Sequence, residues 1–528
     1  MAFLVQSLRI PLEERGLLLP RLAEQIGCPP SEIENLLIVH EAIDARRNQI
    51  MFVYHVEFDL KQPSKWLARS RVPLLPAPVR AYSTPKPGNQ KMAHAPVIVG
   101  AGPAGMFAAL LLAENGYEPI LLERGGPIED RVKAVEQFWQ TGELDPQCNV
   151  QFGEGGAGTF SDGKLTTQIR DPRIFQVLQQ FVAAGAPSDI LYSHKPHIGT
   201  DLLRKIMIQM RKRILSLGGK VYFYSCMDRL LVEENRLSGI RLVDGKEIPT
   251  ESLILAIGHS ARDTFTTLFE QKLEMESKAF SLGVRIEHLQ SWIDAAQYGS
   301  MAGHPKLDPA DYKLVYHTVG GRTVYTFCMC PGGLVVASAS EPGHLVTNGM
   351  SYHARDGKNA NSGLLVAVSP QDYGSDAPLA GMYFQREWES LAFACGGNNY
   401  KAPIQRLDDF LQGTVTKEPK MVIPTYQPGV EIVDLSRCLP SFVTSSLREA
   451  IVAMAKKLKG FDHPHAILTG IETRSSSPLR ILRNENGESS IKGLYPAGEG
   501  AGYAGGIVSS AVDGLRAAEQ ILMQYAPR

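Results

Sequence analysis

Apolar and polar positions change their pattern several times along this chain. From Gln49 to Leu60 (QIMFVYHVEFDL) β-forming residues are dense and partly alternate with polar ones, which predicts a strand. A weaker strand is expected over Phe3 to Ile10. Between them, Ser31 and Glu34 form a Ser-x-x-Glu capping box just after Pro29-Pro30, predicting a helix through about Ile43. These runs give a small α+β unit over residues 1–72. Six prolines fall within Val72 to Pro96, counting Pro96 itself. Proline fixes φ and removes a donor, so 73–95 is expected to be an extended linker. From Pro96 to about Leu273 strand-like and helical runs alternate, as in an α/β sheet. From about Ser281 the texture turns to short β-rich runs (YKLVYHT, TVYTFCMC, GLVVASAS), with one long helix expected over Leu379 to Ala394. That predicts a separate mixed-sheet α+β domain over 281–465. Residues 466–528 are again glycine-rich.

One segment carries most of the chemistry. In PVIVGAGPAGMFAALLLAENGYEPILLERG, Val97 to Val99 read as a buried strand. Gly100, Gly102 and Gly105 follow as G-x-G-x-x-G, with Pro103 and Ala104 opening an apolar helix. A second strand over Pro119 to Leu122 ends at Glu123, 23 residues after Gly100. Gly100 allows the tight turn, Gly102 lets backbone approach a pyrophosphate, and Gly105 lets the helix pack on the strand. The helix N-terminus offers free N–H groups and its positive dipole end to phosphates. Glu123 can accept hydrogen bonds from a ribose, which favours FAD or NAD over NADP, although Arg124 stands beside it.

Three later segments choose FAD. The loop GEGGAGTFSDGKL, Gly153 to Leu165, suits close backbone approach through Gly156 and Gly158, with Ser161 and Lys164 as candidate contacts to phosphate or flavin. A meander-like run follows that includes Met227. It ends in the buried strand Leu253 to Ile257 and the tripeptide Ala256-Ile257-Gly258. Finally, Leu494 to Pro496 reads as a strand and Gly498-Glu499 as its turn. After Gly505-Gly506 a helix starts at Ile507, its N-terminus suited to negative charge on a reduced flavin. An NAD-dehydrogenase needs no such final segment. On this reading the FAD fold is split: 96–280 is its first part, and 466–528 closes it around the inserted domain.

These motifs resemble FAD-dependent oxidoreductases of the glutathione-reductase fold. Two positions depart from that pattern: Ile257 where Thr is usual, and Glu499 where Asp is usual. A narrower resemblance is to the bacterial FAD-dependent dehydrogenases, also labelled NAD(P)/FAD-dependent oxidoreductases. It rests on IDARRNQI near Ile43, GEGGAGTFSDGKL, GVRIEH at Gly283 to His288, CMCPGG at Cys328 to Gly333, NGMS at Asn348 to Ser351, and PAGEGAGYAGG. The resemblance implies FAD binding and a redox role and supplies no substrate. The expected architecture is a Rossmann-like α/β FAD domain with the insert and the small N-terminal domain. The expected activity is hydride transfer between flavin N5 and a small organic substrate. No second G-x-G-x-x-G is read directly after a strand, so no separate NAD(P)H domain is expected; NAD(P)H would act as a transient donor at the flavin face, or the donor is a protein.

Composition adds limits. The chain has 528 residues, a net charge of −1 and seven cysteines. The odd cysteine count and irregular spacing argue against a secreted disulfide framework, and no signal peptide or membrane span is read, so a reducing cytoplasmic setting is expected. Near-neutral charge argues against a nucleic-acid binder. One local exception is Lys61 to Lys91, with seven basic residues (Lys61, Lys65, Arg69, Arg71, Arg80, Lys86, Lys91) and no acidic one. It motivates an alternative, an RNA-modifying flavoenzyme, although no aromatic–basic interleaving supports RNA. A third reading is a non-catalytic FAD-binding partner protein. Cys328 and Cys330 would point the same way in a strand; they read either as a thiol pair near flavin or, by default, as packing. Arg285 and Arg474 are candidate anion anchors or structural ion pairs, and Tyr503 a candidate flavin-facing hydroxyl. None is assigned as catalytic. His463 and His465 are too few for a metal site, and no metal is expected.

Overall fold

The computed structural model describes residues 2–46, 49–78 and 82–528. The N-terminal unit is a four-stranded sheet in the order Ile33–Asp44, Met51–Leu60, Ala2–Pro11, Leu75–Pro76, with the helix Leu18–Ile26 against it. Alternation along Met51–Leu60 buries Phe52, Tyr54, Val56, Phe58 and Leu60. The helix expected over 31–43 is instead the strand Ile33–Asp44. Pro30–Glu32 is only a short 3-10 turn, and Glu34 faces Lys61 at 3.4 Å instead of closing a capping box. β-Branched Ile33, Ile38, Val39 and Ile43 suit a strand, and pairing with Met51–Leu60 overrides the local helix signal.

This unit is docked. The Glu41 N–H donates to the Tyr192 carbonyl at 2.7 Å, and His194 N–H donates back to Glu41 at 2.8 Å. The proline-rich segment is extended but fastened: Leu75–Pro76 pairs with the first strand, and the Tyr82 hydroxyl donates to Glu519 at 2.6 Å. Gly88 N–H donates to Leu522 and Ala526 N–H to Gln90, each at 2.8 Å. Of the basic stretch, Arg80 lies outside the described residues, as do Arg47 and Asn48 of IDARRNQI. Lys65 and Arg69 sit over the Trp66 ring.

The FAD body is a five-stranded parallel sheet in the order Leu494–Pro496, Leu253–Leu255, Val97–Val99, Ile120–Leu122, Lys220–Tyr222. The strand expected to reach Ile257 stops at Leu255. A three-stranded antiparallel meander, Met227–Glu233, Arg236–Leu242 and Glu247–Pro249, forms a second layer. The helix Ile507–Gln524 lies across the helix Pro103–Glu114; a Cβ on Gly514 would overlap the Ala104 carbonyl, so only glycine permits this approach.

The insert is a seven-stranded sheet in the order Val315–His317, Thr323–Cys330, Asn359–Val368, Phe280–Leu289, Ile467–Glu472, Ala402–Arg406, Val430–Ile432. Ile467–Glu472, expected in the C-terminal part, pairs with the central strand Phe280–Leu289, so the insert runs past residue 465. The helices Ala380–Cys395 and Ser441–Ala455 pack on this sheet. His463 stacks on Trp292 with ring centroids 3.7 Å apart, and among the described residues no cluster suits a metal ion. No described helix is long and apolar enough to cross a membrane.

Candidate functional site

Gly100 ends the strand Val97–Val99 at φ +104°, and Gly102 precedes the helix Pro103–Glu114. Pro103 removes only an N–H that a helix start leaves unpaired. Gly105 is a packing glycine, since a Cβ there would overlap the Gly100 carbonyl; it does not line the cavity. Gly102 faces Gly156, and a Cβ on Gly156 would come within 2.9 Å of the Gly102 Cα. Two backbones bare of side chains thus meet at the helix N-terminus, which is what a pyrophosphate needs.

Glu123 is buried and fastens this turn. Its Oε2 accepts from Ala101 N–H at 2.8 Å, and its Oε1 accepts from Gly125 and Gly153 N–H, each at 2.9 Å. A carboxylate has about four acceptor sites, so one remains for a ribose hydroxyl at the cavity wall. Arg124 is committed elsewhere: its guanidinium makes two hydrogen bonds to Asp263, at 2.9 and 2.7 Å, and lies 4.2 Å from the Phe152 ring centroid.

Arg131, which the motif spacing did not reveal, organises the glycine loop. It is fully buried and donates to the carbonyls of Asn149, Val150, Gly153, Glu154 and Gly156. Burial lowers its pKa to about 10, so it remains charged at neutral pH. The only sequence signal was one Arg in the first turn of the helix Ile128–Thr141.

The other candidates converge. One cavity of about 1100 Å³ is lined by Gly100, Gly102, Pro103, Ala104, Glu123, Arg124, Gly156, Gly158, Ser161, Lys164, Met227, Ala256, Gly258, Gly498, Glu499, Gly505, Gly506 and Ile507. Ser161 does not offer its hydroxyl as expected: Oγ donates to the Gly158 carbonyl at 2.7 Å and accepts from Gly163 N–H. Lys164 lies 3.8 Å from buried Asp162, which also pairs with Arg355 at 2.5 Å. Burial raises the Glu499 carboxyl to about 7, with Lys278 opposing and Cys328 reinforcing the rise.

The insert supplies the opposite wall through Tyr312, Thr326, Cys328, Asn348, Glu472 and Arg474. Arg474 is not a free anion anchor. With Arg262 it grips Glu389, which also accepts from the Thr473 hydroxyl. Burial opposes ionisation, yet the two guanidinium groups hold Glu389 well below the usual carboxylate range. Arg285 sits behind the wall, paired with Glu472 and bonded to Asn361 and to the Cys328 carbonyl. Burial outweighs Arg285 and lifts Glu472 to about 7. Tyr503 lines the cavity, with the Arg483 guanidinium 3.7 Å from its ring centroid. Cys328 and Cys330 do not sit in a regular strand. Three residue steps from Phe327 to Cys330 match two on the partner strand, and Cys328 takes φ +43°. For a residue with a Cβ this conformation costs about 1–3 kcal/mol and persists only where neighbours impose it.

The glycine pair, the open helix N-terminus and the buried Glu123 fit the nucleotide and pyrophosphate of a flavin dinucleotide, which defines an FAD-binding protein. Comparison with known proteins agrees. Residues 94–141 match an FAD binding domain, 279–475 match the model described as FAD-dependent protein, C-terminal domain-like, and 4–59 match a domain of unknown function. An uncharacterized protein of Clostridium beijerinckii is 47% identical over 530 residues, covering 99% of both chains, and this chain belongs to that protein's family. FAD is its cofactor. Among solved structures, E. coli quinol fumarate reductase FrdA aligns at 13% identity (82% of this chain, 70% of that one, TM-score 0.35). CtdE in complex with FAD aligns at 12% (81% and 82%, TM-score 0.31). Halogenase PltM aligns at 11% (81% and 69%, TM-score 0.38). Likenesses this shallow say nothing about the reaction.

Proposed function

We propose that the protein is an FAD-dependent oxidoreductase that exchanges a hydride with a small organic substrate held between the FAD body and the insert. The observation that carries this is the shared cavity: the glycine-lined wall and the inserted wall of Tyr312, Cys328, Asn348 and Arg474 bound one space. Bound FAD supplies the two-electron chemistry. The chain binds, orients and handles protons. Glu499, titrating near neutrality, can hold or release a proton at the wall. The helix N-terminus at Ile507 and the Lys164 cation favour negative charge beside it. Five parallel strands, one of them the C-terminal Leu494–Pro496, and an antiparallel meander support a glutathione-reductase-type FAD body. Seven free cysteines support a reducing cytoplasmic setting.

The test is an anaerobic screen of the purified yellow protein, following flavin absorbance with NADH, NADPH and reduced protein donors, then with candidate acceptors. Bleaching by one donor and recovery with a small organic acceptor are expected. Failure of every donor to bleach the flavin would overturn the assignment in favour of a non-catalytic FAD-binding protein.

A further inference from the structure

We infer that Cys328 and Cys330 form a redox-active thiol pair of the flavin cavity, with Cys328 meeting a small disulfide substrate and Cys330 closing behind it. This deepens the oxidoreductase reading and rests on a substrate entering that same cavity.

Four observations lead there. First, Cys328 lines the cavity together with Lys164 and Glu499, whereas Cys330 is fully buried behind it. Second, in a regular strand residues two apart sit about 6.5–7 Å apart along the chain. Here the bulge and the left-handed backbone at Cys328 fold Cys330 back toward it, so that Cys330 Sγ reaches the Cys328 carbonyl oxygen. Third, the bulge is held from outside. The Arg285 guanidinium donates to the Cys328 carbonyl at 3.0 Å, and the Cys330 thiol donates to the same oxygen at 3.2 Å. Fourth, the cavity reaches the surface, because exposed His194 and Lys195 line it too.

The charged and titratable groups around Cys328 are Lys164, Asp162, Arg285, Cys330, Glu472 and Glu499. The neighbouring Cys330 thiol lowers the Cys328 thiol, burial opposes, and Lys164 and Arg285 add to the lowering, which leaves Cys328 at about 6 while Cys330 is raised. The pair is therefore divided into a thiolate that faces the cavity and a thiol that keeps its proton. A similar split appears at Cys395 and Cys438, so the shift alone does not single out the first pair; the cavity and the bulge do.

The exchange balances without another reagent. The Cys328 thiolate bonds to one sulfur of the disulfide, and the other sulfur leaves as a thiolate. Cys330 Sγ then attacks Cys328 Sγ, the second half leaves, and the Cys330 proton goes to a departing thiolate. The external disulfide is reduced to two thiols, and the pair is oxidised to one Cys328–Cys330 bond. That bond lies on the wall of the cavity that binds FAD, the carrier able to return two electrons.

The probe is glutathione disulfide, applied anaerobically to pre-reduced holoprotein carrying Cys395→Ser. Iodoacetamide trapping and peptide mass mapping follow. The peptide bearing both cysteines should lose two hydrogens and take no alkyl group. Cys330→Ser should stop at a glutathione adduct on Cys328, and Cys328→Ser should give neither product. Flavin absorbance of each variant, equal to the parent's, shows that folding is intact. Two alkyl groups on the parent peptide after exposure, or an unmodified Cys328 in Cys330→Ser, would overturn the inference. Mass reads the thiols and absorbance reads the cofactor, so a failure of flavin reduction by donors is seen separately.

Discussion

On the nucleotide side of the cavity the surface is mostly backbone: the Gly102–Gly156 approach, a helix N-terminus, and N–H groups gathered on Glu123. On the inserted side it is mostly side chain, and the charges are consumed in pairs: Arg474 and Arg262 on Glu389, Arg285 on Glu472. The first wall recognises by letting a ligand come close. The second is held in shape by buried ionic contacts. A cofactor common to many enzymes needs only the first kind of surface. The second is where side chains particular to this chain meet the cavity.

Breaking the second wall should have the larger effect on stability. Glu389→Leu removes the carboxylate that two buried guanidinium groups share, leaving Arg262 with Glu341 and Gln385 and Arg474 with Ser340, and should cost about 3–5 kcal/mol, read by denaturant or thermal unfolding. Folded protein should still be yellow; unchanged stability would show that the ionic cluster does not hold this wall. Gly102→Val acts oppositely. Its Cβ has only the Gly156 Cα nearby, 3.8 Å away, so the apoprotein should melt within a few degrees of the parent. FAD affinity should fall at least about 100-fold, about 3 kcal/mol, measured by equilibrium dialysis. Glu499 tests the seam. Its carboxyl is raised from 4.5 to about 7, so the folded state holds a proton that the unfolded chain releases. Stability from this group is present below pH 4.5 and is lost as pH rises toward 7. Glu499→Gln should therefore gain on the parent as pH rises from 5 to 8, by roughly 1–3 kcal/mol at the upper end, in melting curves of the apoprotein. The smallest change is Ser161→Ala. It removes a hydrogen bond to Gly158 and should cost about 1 kcal/mol with flavin content unchanged. A large loss of flavin would restore Ser161 as a cofactor contact.

The first wall was readable because its determinants lie close in sequence. Gly100, Gly102, Gly105 and Glu123 belong to one strand–turn–helix–strand unit, and turn geometry demands those residue types at that spacing. The second wall draws on Arg262, Glu389 and Arg474, far apart in the chain, and nothing in each one's neighbours announces its partner. Arg131 was hidden for the same reason, because its five acceptors are backbone carbonyls of a later loop. The misread helix at Ser31 shows local and non-local signals in conflict: a capping box suggested one structure, and pairing with Met51–Leu60 imposed another. For Cys328 the bulge was invisible, since no glycine marks a positive φ at that position.

The strand Leu494–Pro496 and the helix Ile507–Gln524 complete a nucleotide fold that begins at Val97. At about 5–20 residues per second, the first strand leaves the ribosome roughly twenty to eighty seconds before the last helix. The whole insert is synthesised in that interval. The cofactor's socket is therefore unfinished until Ile507–Gln524 has been made, so a chain cut short of that helix is left without one wall of the FAD cavity.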